Sequence, residues 1–377
     1  MEAFIIVQQY MSNNVTYYLG AGASANALPL YSDFKKRLEV FRDYVYHYAK
    51  NKKLLGLGTK EDIYVTHLNE LINQLDDSET TTLDALAHEL YNKNGITSKL
   101  SFSNLKYLVS DFFIFEQLEK QAINYKTQRV SDINSNNYEI YNSELTQKVN
   151  THIDKRYRSF INSELVNHAF PSSINIVSWN YDLQIELAFR RIRECSLSLA
   201  QSDLQVFPSP EKANGIDLRK SAIIKLNGTA GVYYQDNQKT NLQNFIYGET
   251  RLVDNYIDSM TEIFKNNYSR IFGGYPFFTF TFEKERKDLV NKAVSYAREI
   301  ICQTSTLIVI GYSFHPLNRE IDKKVFEQTV NLKNIIIQVP SVHDFQLIRN
   351  NLSRIVDSNI SIEHNPYVNE FHSSNNI

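Results

Sequence analysis

Short apolar runs alternate with helix-like stretches over much of the chain. Runs rich in β-branched and aromatic residues predict buried strands at Val15–Leu19, Ile174–Ser178, Ala222–Leu226, Thr306–Ile310 and Ile335–Val339. Downstream of the second run, apolar positions at helical spacing fill the gaps, as over Leu183–Arg193 and Lys284–Gln303. Strands that alternate with helices are typical of a parallel, doubly wound sheet. The pattern therefore predicts an α/β fold.

The interval between the first two predicted strands has a helical pattern instead. Apolar residues recur there three and four residues apart, as at Leu38, Phe41, Val45 and Tyr48. An Asn- and Ser-rich stretch at 127–142 predicts an exposed loop, and 143–168 return to helix. We therefore expect a sheet domain split in sequence, with a first part at 1–35, a large helical insertion at 36–168 and the remainder at 169–377. The insertion would form a lid or an assembly surface.

The first predicted strand ends in a glycine loop, Gly20-Ala21-Gly22-Ala23-Ser24, and Pro29 follows. Glycine avoids a β-carbon that would block a tight turn or the approach of a ligand. We expect a helix to open at Ala23 and Ser24, so that free N–H groups and the helix dipole favour a phosphate. The loop is not G-x-G-x-x-G, because Ala25 fills the third position. A strand-to-helix turn without a ligand is the alternative.

Small or polar clusters follow three other predicted strands as well. They are Asn180-Tyr181-Asp182, Asn227-Gly228-Thr229 and Gly311-Tyr312-Ser313. In open α/β sheets the ligand sits beyond the carboxyl ends of the strands. We therefore expect these clusters and the glycine loop to line one crevice of a Rossmann-like sheet. Each cluster alone could be an ordinary strand-ending turn, such as an Asx turn at Asn180.

Composition and charge narrow the functional classes. The 377 residues include 22 Phe and 24 Tyr, enough for a sizeable core, and the formal net charge of −2 gives no basic face. We therefore expect no direct nucleic-acid binding. No apolar run reaches the roughly 20 residues of a membrane span, and the N-terminus lacks the pattern of a secretory signal. Cys195 and Cys302 provide neither a disulfide framework nor a four-cysteine zinc ribbon, so we expect a reduced, cytoplasmic setting and no metal.

Taken together, the four clusters resemble the motifs of the sirtuin-like (silent information regulator) family. The glycine loop with Pro29 resembles its G-A-G-x-S…P cofactor loop, and Asn180-Tyr181-Asp182 resembles its T-x-N-Y-D or Q-N-I-D motif. Lys225-Leu226-Asn227-Gly228-Thr229 resembles the K-L-H-G-[ST] segment. Gly311-Tyr312-Ser313-Phe314 resembles the late G-x-S segment that holds the adenosine half of NAD. Within the family, the sequence resembles the zinc-ribbon-free branch, whose members hydrolyse NAD+ in bacterial anti-phage defence.

The resemblance implies an NAD+ glycohydrolase that yields nicotinamide and ADP-ribose and acts by NAD depletion in abortive infection. It implies catalytic roles for Asn180, Asp182 and Asn227. Asn180 would orient water or the ribose, and Asp182 would hold the carboxamide or support the cation. It implies NAD+ contacts for Gly20, Ala21, Gly22, Ala23, Ser24, Pro29, Asn180, Asp182, Gly228, Thr229, Gly311, Tyr312 and Ser313. Because a freely running enzyme of this kind is toxic, a homo-oligomer and a separate partner are expected. That partner would be a HerA-type ATPase or a short Argonaute with its associated domain.

One departure from the family pattern concerns the chemistry itself. Asn227 stands where the family has a histidine, and an amide cannot accept a proton near neutral pH. Three explanations stay open: a silent or attenuated NAD or ADP-ribose-binding scaffold, a substitute base, or an inactivated variant. His315 and His168 are the histidines that could substitute, although His315 also reads as a loop residue before Pro316.

Overall fold

A seven-stranded parallel sheet forms the centre of the computed structural model, which describes residues 14–118, 153–210, 215–235, 238–247, 253–269, 275–284 and 287–376. The strands are β1 (Val15–Leu19), β2 (Ile174–Ser178), β3 (Val206–Phe207), β4 (Ile223–Lys225), β8 (Thr306–Ile310), β9 (Asn334–Gln338) and β10 (Ser361–Asn365). Their order across the sheet is β10-β9-β8-β1-β2-β4-β3. The prediction of a Rossmann-like parallel α/β sheet is therefore confirmed.

The strands beside β1 end level with it. Leu19, the last residue of β1, pairs with Ser178 of β2 on one side and with Ile310 of β8 on the other. All of β1 is buried, and alternate residues serve opposite faces: Tyr17 packs into one apolar core and Tyr18 into the other. Burial on both faces explains why β1 reads as a continuous apolar run.

Helices cover both faces of this sheet. Those between β1 and β2 form what we call the helical segment: α1 (Tyr31–Asn51), α2 (Lys60–Asp77), α3 (Leu83–Asn92), α4 (Ile96–Glu116) and α5 (Lys155–Glu164). Those downstream are α6 (Gln184–Arg193), α7 (Leu197–Asp203), α8 (Asn244–Tyr247), α9 (Val253–Asn267), α10 (Lys287–Gln303), α11 (Arg319–Val325) and α12 (Val342–Leu352). The division at residues 35 and 168 stays a prediction.

A second, antiparallel sheet was not predicted from the sequence. It contains β5 (Gly228–Gln235), β6 (Gln238–Asn241) and β7 (Tyr275–Phe278) in the order β6-β5-β7. The ring of Tyr233 in β5 stacks on Tyr107 of α4 at 5.6 Å between centroids, and its hydroxyl oxygen lies 2.9 Å from Ser110 Oγ. The small sheet therefore packs against α4 of the helical segment through β5.

Two predicted helices differ in the structure. The helix expected at Ala23 is wrong: Ala21–Ser24 form a single 3₁₀ turn, and α1 begins only at Tyr31. Pro29 lacks an N–H and disfavours helical backbone at Leu28, so the chain must turn before α1. The helix expected up to His168 ends with α5, and His168 has a positive φ of 69°. The loop predicted at 127–142 lies outside the described residues, as do residues 143–152.

Candidate functional site

The carboxyl ends of β1, β2, β4 and β8 open onto one cavity, which we call the strand-end cleft. Its volume is about 990 Å³, counting the part open to solvent. The predicted site residues that line it are Gly20, Ala21, Ser24, Pro29, Asn180, Asp182, Asn227, Gly311, Tyr312 and Ser313. The chain runs from β1 to β2 on one side, whereas β8 lies on the other side of β1. The cleft therefore lies at the kind of switch point where open α/β sheets bind ligands.

Three glycines, two in the cleft lining and one beside it, are required by the packing of one loop against another. A β-carbon on Gly311 would lie 2.3 Å from the backbone nitrogen of Ala23, and one on Gly20 would lie 2.5 Å from the carbonyl oxygen of Gly311. One on Gly22 would lie 2.7 Å from the Cα of Gly311. Gly311 also has a φ of +65°, a conformation that favours glycine. The obstacle to a β-carbon is therefore protein backbone rather than a ligand.

The backbone N–H groups of the glycine loop are mostly used within the protein. Gly20 donates to the Ile310 carbonyl at 3.0 Å, Gly22 to the Gly311 carbonyl at 3.1 Å, and Ala23 to the Gly20 carbonyl at 2.9 Å. From Gly20 to Ala23, only the Ala21 N–H has no acceptor among the residues that the structure describes. The anion cradle expected from the sequence is therefore reduced to the N–H of one exposed residue.

Four predicted contact residues do not line the strand-end cleft: Gly22, Ala23, Gly228 and Thr229. Arg156 donates to the carbonyls of Gly22 and Ala23 at 3.2 and 3.0 Å. Gly228 opens β5, where a β-carbon would lie 2.3 Å from the Phe277 carbonyl. Thr229 is fully buried and accepts from Gln243 Nε2 at 3.1 Å. The structure gives these residues packing contacts where the sequence suggested ligand contacts.

The Asn180–Asp182 turn is tied to the glycine loop by side-chain hydrogen bonds. Asn180 Nδ2 donates to the Gly20 carbonyl at 2.9 Å, and Ser24 Oγ donates to Asp182 Oδ2 at 2.8 Å. Asp182 Oδ1 accepts the N–H of Gln184 at 3.0 Å. Burial raises the pKa of Asp182, although the nearby Lys225 ammonium opposes the shift. Both carboxylate oxygens of Asp182 thus hold the turn in place.

Lys225 supports the same turn from β4. Its ammonium group is buried, forms an ion pair with Glu186 of α6 and donates to the carbonyl of Asp182. A buried lysine of this kind is stable only because both the carboxylate and the carbonyl compensate its charge. The Lys-Leu-Asn-Gly segment therefore contributes a structural cation as well as Asn227.

Asn227 lines the cleft and carries an unpaired acceptor. It is only 3% exposed, and its Nδ2 donates to the Trp179 carbonyl at 3.1 Å. Its Oδ1 is buried and has no hydrogen-bond partner among the described residues. A buried acceptor without a donor costs about 1–3 kcal/mol. A ligand hydroxyl that reached Oδ1 would remove this cost.

The two histidines proposed as substitute bases lie in different places. His315 lines the strand-end cleft, but its Nδ1 accepts the N–H of Leu317 at 3.4 Å, so the neutral ring carries its proton on Nε2. Burial also lowers the pKa of His315. His168 lines another cavity with Lys220 and Ser221, beside the amino end of β2. His168 is therefore wrong as a substitute base for this cleft.

The helical segment supplies part of the cleft wall that the sequence did not indicate. Its contributions include Phe34 of α1, Phe113 of α4, and Thr82, Leu83 and Asp84 at the start of α3. Thr82 caps α3 by accepting the N–H of Ala85 at 3.1 Å, which fixes Asp84 in the first helical turn. The described residues that line the cleft include no Lys or Arg. Nothing in the sequence indicated that α3 meets the strand ends.

Two further properties concern only the described residues. None of their helices combines the length and apolarity that a membrane crossing requires. Nor do they contain a group of three or more His, Cys, Asp or Glu side chains that could hold a metal ion.

Comparisons with known proteins give distant structural neighbours only. No protein-family model matches the sequence, and no curated protein matches it. A structure of Sir2Tm bound to a propionylated peptide is 12% identical over 97% of this chain and 92% of its own, with a TM-score of 0.31. A structure described under the structural basis of sirtuin substrate affinity is 10% identical over 97% and 93%, with a TM-score of 0.33. Scores this low support no conclusion about activity.

Proposed function

We propose that the chain hydrolyses NAD+ to nicotinamide and ADP-ribose in the strand-end cleft, as a zinc-free relative of the sirtuins. One observation carries the proposal: four strand ends that resemble sirtuin motifs line a single cleft at the switch point of a parallel sheet. Such switch points bind nucleotides in this class of fold. NAD+ is the substrate, and no metal is needed.

The charge of the cleft suits this reaction. Nicotinamide leaves as a neutral molecule, so the leaving group needs no proton, and positive charge develops on the ribose instead. Asp84 and Asp182 line the cleft, and its described lining residues include no Lys or Arg. Carboxylates fixed near a developing cation stabilise the transition state. A reaction that develops negative charge would find no cationic side chain in this lining.

Two amide oxygens can bind the ribose or the attacking water. Asn180 commits its Nδ2 to the Gly20 carbonyl, which fixes the amide plane, and no described residue donates to its Oδ1. Asn227 is fixed in the same way by the Trp179 carbonyl and also keeps a free Oδ1. We assign Asn180 to the water or the nicotinamide ribose and Asn227 to a ribose hydroxyl. Asp182 positions the turn and adds negative charge.

The cellular role is proposed on the motif resemblance alone. The enzyme would act in the cytoplasm as the effector of an anti-phage defence complex that depletes NAD+. Because unregulated NAD+ hydrolysis kills the host, activity would depend on self-assembly or on a separate partner, such as a HerA-type ATPase or a short Argonaute. The helical insertion at 36–168 is the surface on which we expect such control.

Release of nicotinamide from NAD+ tests the proposal. The purified full chain is incubated with NAD+, alone and with the partner encoded beside it, and nicotinamide is followed over time. We expect release that falls at least about 100-fold in Asn180→Ala, because the residue that positions the reactants is lost. Asn359→Ala, in an exposed turn before β10, is the matched control and should keep full activity.

A binding module is the second candidate, and Asn227 favours it. An amide there cannot accept a proton, so the cleft could hold NAD+ or ADP-ribose without cleaving it. Saturable binding without nicotinamide release, in both the unaltered chain and Asn227→His, would support the scaffold and contradict the hydrolase. A steep gain of turnover in Asn227→His would instead identify a hydrolase attenuated at one position.

A further inference from the structure

The strand ends provide no proton acceptor that is free of hydrogen bonds within the protein. A water that forms a bond to ribose C1′ must lose a proton, yet Asn180 and Asn227 are amides. Both carboxylate oxygens of Asp182 already accept hydrogen bonds, from Ser24 and from the Gln184 N–H. The unprotonated ring nitrogen of His315, Nδ1, accepts the Leu317 N–H. A base without such hydrogen bonds has to come from another element.

Asp84 differs from these groups because its carboxylate is uncommitted. It lies in the first turn of α3, is half-buried and lines the cleft together with Asn180 and Asn227. Among the residues that the structure describes, none gives Asp84 a hydrogen bond or an ion pair. Thr82 already caps the helix, so Asp84 is not needed as the N-cap. The helix dipole favours a carboxylate in this turn, and no side chain of the described residues pairs with it.

We propose that Asp84, supplied by the helical segment, is the general base that deprotonates the attacking water. This inference rests on the proposed NAD+ hydrolysis. The bond between C1′ and nicotinamide breaks, and its electron pair leaves with the nicotinamide nitrogen. The water oxygen forms the new bond to C1′, and its proton passes to the Asp84 carboxylate and then to solvent. The products are neutral nicotinamide, ADP-ribose and one proton.

The surroundings of Asp84 favour this role. Burial raises the pKa of its carboxyl to about 6. A general base is most effective when its pKa lies near the pH at which the enzyme works. Burial, and after it the charge of Asp84, raises the pKa of Tyr181, so that this neighbouring phenol stays neutral. The titratable groups that share the cleft with Asp84 are Tyr31, Tyr181, Asp182, Tyr312 and His315. Since the described lining contains no Lys or Arg, no cation there draws the pKa down.

Kinetics of Asp84→Asn against a matched variant test the assignment. Asp62→Asn is the control, because Asp62 also lies in the first turn of a helix capped by a threonine but does not line the cleft. We expect kcat/KM for nicotinamide release to fall about 10²- to 10⁴-fold in Asp84→Asn and to stay unchanged in Asp62→Asn. In the unaltered chain the rate should rise with pH up to about 6, and Asp84→Asn should lack this rise.

The outcomes separate the two proposals. If the unaltered chain releases nicotinamide and Asp84→Asn does so at the same rate with the same pH profile, the base assignment is overturned and NAD+ hydrolysis stands. If the unaltered chain releases no nicotinamide, alone or with its partner, the base assignment and the proposed NAD+ hydrolysis are both overturned. Should thermal denaturation show that Asp84→Asn is unfolded, Asp84→Glu replaces it. That variant must keep the rise with pH, and a flat profile overturns the assignment.

Discussion

Only one of the two polar atoms of the Asn227 side-chain amide forms a hydrogen bond with a described residue. Its nitrogen donates to the Trp179 carbonyl, while its oxygen is buried without a partner among the described residues. Evolution commonly removes such orphaned acceptors when they have no use, because each costs about 1–3 kcal/mol. Since Asn227 also lines the cleft, its oxygen is the acceptor that we expect a ligand donor to reach.

Replacing Asn227 by leucine separates binding from stability. The orphaned acceptor disappears, which stabilises the protein, but the Trp179 carbonyl loses its donor, which destabilises it. We expect the free energy of unfolding to change by less than about 1 kcal/mol, whereas the Kd for NAD+ rises roughly tenfold. Urea denaturation and calorimetric titration measure the two quantities.

Asn104 of α4 provides the control for this variant. It is also buried, and its Oδ1 also lacks a partner among the described residues, but it does not line the strand-end cleft. Asn104→Leu should leave the affinity for NAD+ unchanged. Equal affinities in all three proteins would show that the Asn227 oxygen does not contact the ligand.

The loops that follow β1 and β8 pack closely against each other, and glycine residues at the contact leave room for this packing. Gly311→Ala would place a β-carbon 2.3 Å from the Ala23 nitrogen and would force a left-handed backbone on alanine. Because the contact is with a backbone atom and the strain lies in the backbone of residue 311, a small side-chain movement cannot relieve either one. We expect the variant to lose roughly 3 kcal/mol or more of folding free energy and to lose NAD+ binding. Urea denaturation is the measurement.

Gly58 isolates the conformational part of that effect. It also has a positive φ, +81°, but nothing lies within 4 Å of the β-carbon position. Gly58→Ala should therefore cost only about 1–2 kcal/mol, the penalty of the left-handed conformation alone. If the two variants were equally stable, the contact between the two loops would not be as tight as the structure shows.

The elements that sequence predicts well are those whose residues form a local pattern. β1, β2 and β8 are short apolar runs, and their predicted bounds are confirmed. The antiparallel sheet has no such pattern, because β5 contains Gly228 and Gly231 at positive φ and β7 contains Pro276. Glycine and proline normally mark strand ends, so only the pairing between β5 and β7 reveals these strands.

The same distinction holds for the candidate site. The strand-end residues were predicted to share a crevice, because the ends of parallel strands meet at one edge, and ten of them do line one cleft. Phe34, Asp84 and Phe113 were missed because they come from helices far away in sequence. The loop glycines were singled out for a ligand, whereas the contact they avoid is with another loop.

In the whole molecule, two buried acids connect helices to the two sheets. Asp111 of α4 accepts hydrogen bonds from Tyr64 of α2 and Tyr233 of β5. Asp322 of α11 accepts from Tyr18 of β1 at 2.6 Å and from Tyr312, beside the cleft, at 2.8 Å. Burial raises the pKa of each carboxyl to about 7, although the tyrosine hydrogen bonds oppose the shift. Both are therefore protonated in the folded protein at mildly acidic pH.

This protonation makes the stability of the fold depend on pH in a stated direction. A carboxyl has an ordinary pKa of 3.8, so between about pH 4 and pH 7 the folded state binds more protons than the unfolded state. The contribution of Asp111 and Asp322 to the free energy of unfolding is therefore full below pH 4. It is lost as the pH rises to about 7, by a few kcal/mol for each group.

Asp111→Asn isolates one of these contributions, because the amide oxygen can still accept from a tyrosine but cannot titrate. Relative to the unaltered chain, the variant should gain stability between pH 5 and pH 8, and urea midpoints at the two values measure this gain. Taking the difference between the two proteins removes the titration of all other groups. Asp217→Asn is the control, since Asp217 is paired with Arg219 at the surface and its pKa is lowered to about 2, so that it stays ionised over this range. A difference between the unaltered chain and Asp111→Asn that stayed constant from pH 5 to pH 8 would mean that Asp111 does not titrate there.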